Sequence, residues 1–149
     1  MILRWLFASL HLLTLPLGLG AVWARSRALS SVQQTRDYRR VFLADNLWGF
    51  AAFLWISTGL VRAFAGLEKG SSYYLHDRMF IVKMSLLVVI LLLEIRPMVT
   101  LFRWRMAVEK GVAVDTAVAP GLARMSRIQA GIVVLMVFAA TALARGFFY

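Results

Sequence analysis

Residues 79–102, MFIVKMSLLVVILLLEIRPMVTLF, decide the fold class. Only Lys83, Glu94 and Arg96 interrupt this apolar run. A helix needs about 20 mainly apolar residues, at 1.5 Å rise each, to cross the hydrocarbon core of a bilayer. Working outward, residues 2–24, 42–64 and 126–145 are apolar runs of the same kind. The whole chain is 61% hydrophobic and 16% charged, against roughly 45–50% and 25% in soluble domains. A soluble core could not hide that much apolar surface, and a bilayer can. The expected fold is all-α: a four-helix transmembrane bundle forming a single integral membrane domain over residues 1–149.

The net charge of +10 would suit a nucleic-acid partner if it formed a soluble basic face. Here the cations fall between runs of spanning length, so nucleic acid is excluded and the bilayer itself is the partner. The chain has no cysteine, which excludes disulfides, thiolate metal sites and cysteine catalysis. Lys/Arg bias in short loops sets orientation. The expected loop Arg25–Arg40 holds Arg25, Arg27, Arg36, Arg39 and Arg40, and the loop Arg103–Met125 holds Arg103, Arg105, Lys110 and Arg124. The loop Ala65–Arg78 holds Lys69 and Arg78, offset by Glu68 and Asp77. The first and third loops are therefore expected in the cytoplasm and both termini outside, in a multi-pass protein of the bacterial cytoplasmic membrane. Residues 2–24 could also be read as a signal peptide, with Arg4 ahead of an apolar run and small residues near Ala24. Their apolar stretch exceeds the usual h-region of about 7–15 residues and contains His11 and Pro16, which favours a retained span.

Aromatic residues fit this frame: Trp5, Tyr73, Tyr74, Phe147, Phe148 and Tyr149 at the outer interface, and Trp23, Tyr38 and Trp104 at the inner one. Gly18, Gly20, Gly49, Ala52, Gly59 and Gly131 are expected where helices approach closely.

Ionisable residues within a span are costly and so mark either the bundle interior or a functional site. His11 lies about 13 Å below the outer end of its helix at 1.5 Å per residue. Lys83 and Arg62 enter the same outer half from two other helices. Imidazole is the commonest metal ligand and an axial ligand of haem iron, and Arg or Lys beside it suits carboxylates. The plainer readings are a histidine that hydrogen-bonds a neighbouring helix and a lysine that snorkels to the interface. His76 reads as a solvated loop histidine. A second polar group, Asp45, Asn46, Glu94, Arg96, Arg127 and Gln129, lies toward the cytoplasm. Its plainer reading is ion pairing of Asp45 or Glu94 with Arg96 or Arg127, and its functional one is proton uptake by Glu94 or Asp45. Lys83, Leu87, Ile90 and Glu94 form one stripe of the third helix. No phosphate loop, zinc-protease motif or acidic metal cluster is present in the sequence, and the seven methionines lack the paired spacing of a copper path.

The runs LHLLTLPLGLGAVWARSRAL, YRRVFLADNLWGFAAFLWISTGLVRAF and YYLHDRMFIVKMSLLVVILLLEIRPMVTLFRWR resemble an uncharacterised bacterial family of predicted membrane proteins, across roughly residues 1–145. More distantly, the layout is similar to the four-helix bacterial protoporphyrinogen oxidases and the copper-resistance D type membrane proteins. That resemblance implies haem b, with His11 as its axial ligand and Lys83 as a catalytic substrate- or proton-handling group; Arg62, at the same depth, would suit the haem propionates. The stretches Asp45-Asn46-x-Trp48-Gly49 and Glu94-Ile95-Arg96-Pro97 look like the uncharacterised family's own features. The leading expectation is thus a haem b protein for electron transfer or for oxidation of a porphyrin- or quinone-type substrate. The alternatives are a non-catalytic accessory or assembly subunit of a larger membrane complex or homo-oligomer and, more weakly, copper handling.

Overall fold

A computed structural model describes residues 2–64 and 78–145. Within them run four helices: α1 (Ile2–Thr35), α2 (Tyr38–Phe64), α3 (Arg78–Glu109) and α4 (Ala119–Arg145). Three of them, α1, α2 and Ala119–Ala142 of α4, are long and apolar enough to cross a membrane. The third helix is 32 residues long and carries Lys83, Glu94 and Arg96 along its apolar run. At most 33% of the apolar windows of the three spans is buried inside the protein. Side chains such as Leu12, Phe53 and Phe138 are more than half exposed, and a lipid solvent is what such surfaces require.

The helices overrun the expected spans. The α1 helix is 34 residues long, about 51 Å at 1.5 Å per residue, against a hydrocarbon core of about 30 Å. Residues 25–35, expected as loop, stay helical because an apolar stripe continues through them. Leu29 and Val32 are buried and pack with Val41, Leu101, Trp104, Leu122 and Ala123 into a core of their own at this end. Trp104, expected in the interfacial aromatic belt, is buried in that core, edge-on to Tyr38 at 6.2 Å. Trp5 and Trp23 are exposed as expected, at 68% and 51%. His76, Tyr73 and Tyr74, and also Phe147, Phe148 and Tyr149, lie outside the described residues.

The first loop shrinks to Arg36 and Asp37. Arg36 adopts a left-handed φ of 54° that stops α1. The Asp37 carboxylate then accepts the Arg40 backbone N–H at 3.2 Å, an N-cap for α2. The α3 helix ends on Gly111 (φ 66°), where Gly111 N–H bonds Val108 O and Val112 N–H bonds Ala107 O. That is the paired closure of a Schellman turn, which favours glycine. Gln33 Nε2 donates to Thr116 O at 2.9 Å, so the α1–α2 and α3–α4 connections lie at one end of the bundle.

In the bundle α1 packs against α2 and α4, and α3 packs against α4. A second core joins Ala21, Val22, Trp48, Ile90, Ala130, Val133 and Met136 from all four helices. Gly18 permits the close approach of α1 to α2: a Cβ there would stand 3.5 Å from that of Ala51. Gly20, Gly49 and Gly131, expected at helix contacts, have nothing within 4 Å of a built Cβ and are not contact glycines.

Candidate functional site

Two polar layers stand one above the other. In the layer nearer the α1–α2 turn, the Arg25 side chain is fully buried and every N–H of its guanidinium is committed. Nη1 donates to Asp45 Oδ1 at 2.9 Å and Glu94 Oε1 at 2.6 Å. Nη2 donates to Glu94 Oε2 and to Gln129 Oε1, both at 2.8 Å, and Nε donates to Ser126 Oγ at 3.1 Å. Five donors meet five acceptors, the full capacity of the group. Glu94 Oε2 also accepts Trp48 Nε1 at 3.0 Å and Gln129 Nε2 at 2.7 Å. Asp45 Oδ2 accepts Arg105 Nη2 at 2.9 Å. Two guanidinium cations thus balance two carboxylates, and one side chain of α1 ties together α2, α3 and α4. No buried side-chain polar atom among the described residues lacks a partner.

Asp45, Glu94 and Gln129, expected in this layer, do meet there. Asn46, Arg96 and Arg127 are exposed and do not join them. The expected pairing of Asp45 or Glu94 with Arg96 or Arg127 is therefore replaced by pairing with Arg25 and Arg105. Helical geometry gives the reason. Arg96 is two residues from Glu94, about 200° around the helix, so the two point apart. Arg25 was missed because a charge after an apolar run reads as the start of a loop. The available signal was the buried stripe Ala21, Val22, Arg25, Ser26, Leu29 and Val32, which runs through the arginine at helical spacing.

In the other layer His11 is 8% exposed, and its Nδ1 lies 2.9 Å from Thr58 Oγ1. Thr58 Oγ1 also lies within hydrogen-bond reach of two backbone carbonyls of its own helix, Leu54 O at 2.7 Å and Trp55 O at 3.2 Å. The imidazole is thereby tied to α2, with the tautomer setting which partner of the His11–Thr58 bond donates. The Trp55 ring lies 5.8 Å from the imidazole, tilted by 33°. Gly59 makes room for it: a Cβ there would stand 3.2 Å from His11 Cε1. A cleft of about 60 Å³ opens beside His11, and its lining includes Trp55, Gly59, Phe80, Lys83, Met84 and Met136. Lys83, half-buried on α3, and His11 on α1 thus border one cavity. Arg62 is half-buried on the last turn of α2, one residue before Ala63 of the lining, and is not part of it.

The arrangement offers one imidazole nitrogen, one ammonium and two thioethers in an otherwise apolar cleft. No group of three or more His, Cys, Asp or Glu that could hold a metal ion occurs among the described residues. Imidazole and thioether are both suitable haem-iron ligands, and the cleft that presents them has a volume of about 60 Å³.

A helical bundle with largely exposed apolar faces and two buried polar layers defines a small multi-pass membrane protein. The chain belongs to the family described as predicted membrane protein DUF2214, which matches residues 3–147. No curated protein and no solved structure matches the chain closely enough to show kinship.

Proposed function

We propose that all four helices cross the bilayer and that the protein works at the cleft in its outer half. There the His11 imidazole and the Lys83 ammonium act together on a redox-active ring compound that reaches them from the lipid. What carries the reading is that His11 and Lys83, from different helices, border the same cleft, while a 2.9 Å hydrogen bond to Thr58 orients the imidazole. Four crossings are supported by α3 itself, which is bonded at Glu94 to α1 and α4 and, through Trp48, to α2. The excess of Lys and Arg at the α1–α2 end supports placing that end in the cytoplasm. Haem b is the ring compound favoured by the resemblance to the oxidases, with His11 as donor.

The test is an optical spectrum of purified protein expressed with haem supplied. A Soret band that disappears in His11→Ala supports the haem reading, and colourless wild-type protein sinks it. The second reading, a non-catalytic accessory or assembly subunit, is favoured by the small size of the cleft and by a polar interior already satisfied from within. Mild-detergent extracts separate the two readings: a stable large complex supports the subunit, and a coloured small particle supports the haem protein.

A further inference from the structure

Outside both polar layers, the lipid-facing seam between α1 and α4 carries an arrangement that neither of them uses. Ser26 Oγ donates to Ala123 O at 3.0 Å and Arg25 Nε to Ser126 Oγ at 3.1 Å, so residues 25–27 of α1 lie level with 123–127 of α4. Arg124 and Arg127 are three residues apart on α4, and Trp23 and Arg27 four apart on α1, so each pair shares a helix face. All four side chains are exposed. Neither α1 nor α4 contains a single Asp or Glu. Further along α4, Gly131 lies four residues beyond Arg127, hence on the same helix face, and has open space where a Cβ would stand; the exposed side chains farther along the two helices, such as Leu12 and Phe138, are apolar, 65% and 68% exposed.

We infer that this seam binds an anionic diacyl phospholipid, with its phosphate on Arg27, Arg124 and Arg127 and an acyl chain along Gly131. Guanidinium groups match phosphate oxygens bidentately, and an interfacial tryptophan beside them sits at headgroup depth. Juxtamembrane cations of this kind attract anionic lipid. The apolar continuation selects a lipid over a free phosphate ion, which would have no use for it. This inference rests on the membrane reading and is independent of the His11 cleft.

Native mass spectrometry of the detergent-purified protein tests it, by titration with phosphatidylglycerol, phosphatidylcholine and inorganic phosphate. Wild-type protein is expected to retain phosphatidylglycerol in preference to phosphatidylcholine. The double variant R124Q/R127Q is expected to weaken that binding roughly thirtyfold. R96Q/R103Q, which removes the same charge from exposed positions of α3, is expected to leave it unchanged. Gly131→Leu keeps every charge, fills the seam, and is expected to weaken phosphatidylglycerol as well. Equal retention of the two lipids overturns the proposal, as does an equal loss in R96Q/R103Q. Displacement of phosphatidylglycerol by inorganic phosphate at similar concentration would make the site one for a free anion and also overturn it.

Discussion

A single hydroxyl group bears on the tautomer of His11. A Thr58 hydroxyl that donates to Leu54 O, 2.7 Å away, can only accept from the imidazole 2.9 Å away. Nitrogen-15 spectra of histidine-labelled protein test that direction, and a proton on His11 Nδ1 is the expected outcome. Thr58→Val should scramble the two tautomers while costing about 1 kcal/mol of stability, the usual worth of one hydrogen bond. An unchanged spectrum in that variant would mean that Thr58 does not choose the tautomer. Arg25 poses the opposite problem, because its five bonds make it indispensable without making it reactive. Removing one member of a buried ion cluster strands the others, at about 3–5 kcal/mol. Arg25→Gln should cost that much in a denaturant titration in mild detergent. Arg25→Lys should recover only part of it, since an ammonium cannot reproduce the bidentate grip on Glu94. A loss below about 1 kcal/mol for Arg25→Gln would mean that water already screens the cluster. Glu94 is already held by Arg25, Trp48 and Gln129, so this carboxylate reads better as a clasp than as a proton carrier.

At the level of the elements, the helix ends are where sequence and structure part company. The four apolar cores were legible because spanning length and composition suffice to find them. The ends were not, because hydropathy stops at the first charge while a helix stops only where its backbone is diverted. Residues 25–35 show the difference: Arg25 and Ser26 look like loop, yet Leu29 and Val32 keep the buried stripe going. The actual stops are local. Gly111 ends α3, and its left-handed φ predicts that Gly111→Ala loses about 1–2 kcal/mol. Asp37 caps α2, and Asp37→Ala should lose about 1 kcal/mol. Thermal unfolding followed by helix circular dichroism measures both, and no change in either variant would remove these turns as the stops of α1 and α3. Within the candidate site, His11 and Lys83 could be matched in depth from the sequence, and the partners of Asp45 and Glu94 could not. Depth follows from counting along a helix, whereas partnership depends on helix rotation, which only the packed bundle supplies.

For the whole molecule, the decisive matter is whether α3 crosses with the other three helices. Its charges Lys83, Glu94 and Arg96 count against a lipid-bathed helix, but inside the bundle two of the three are absorbed. Glu94 is neutralised by Arg25, and Lys83 borders the His11 cleft. Of the three, Arg96 is turned outward, where a long side chain can snorkel. Gln33 bonded to Thr116, and Arg36 to Val114 O, bring the α1–α2 and α3–α4 connections to the same end, the arrangement expected of the four crossings proposed above. The absence of native cysteine makes the test clean, because a single introduced thiol is then the only one that reacts. Gln34→Cys and Ala117→Cys, both at exposed positions, should be labelled by a membrane-impermeant maleimide only in inverted membrane vesicles. Ser72→Cys, between α2 and α3 in sequence, should be labelled only in intact spheroplasts. Labelling of Gln34→Cys and Ala117→Cys from opposite sides would show that α3 does not cross. The His11–Lys83 cleft would then lose the geometry on which its proposed chemistry depends.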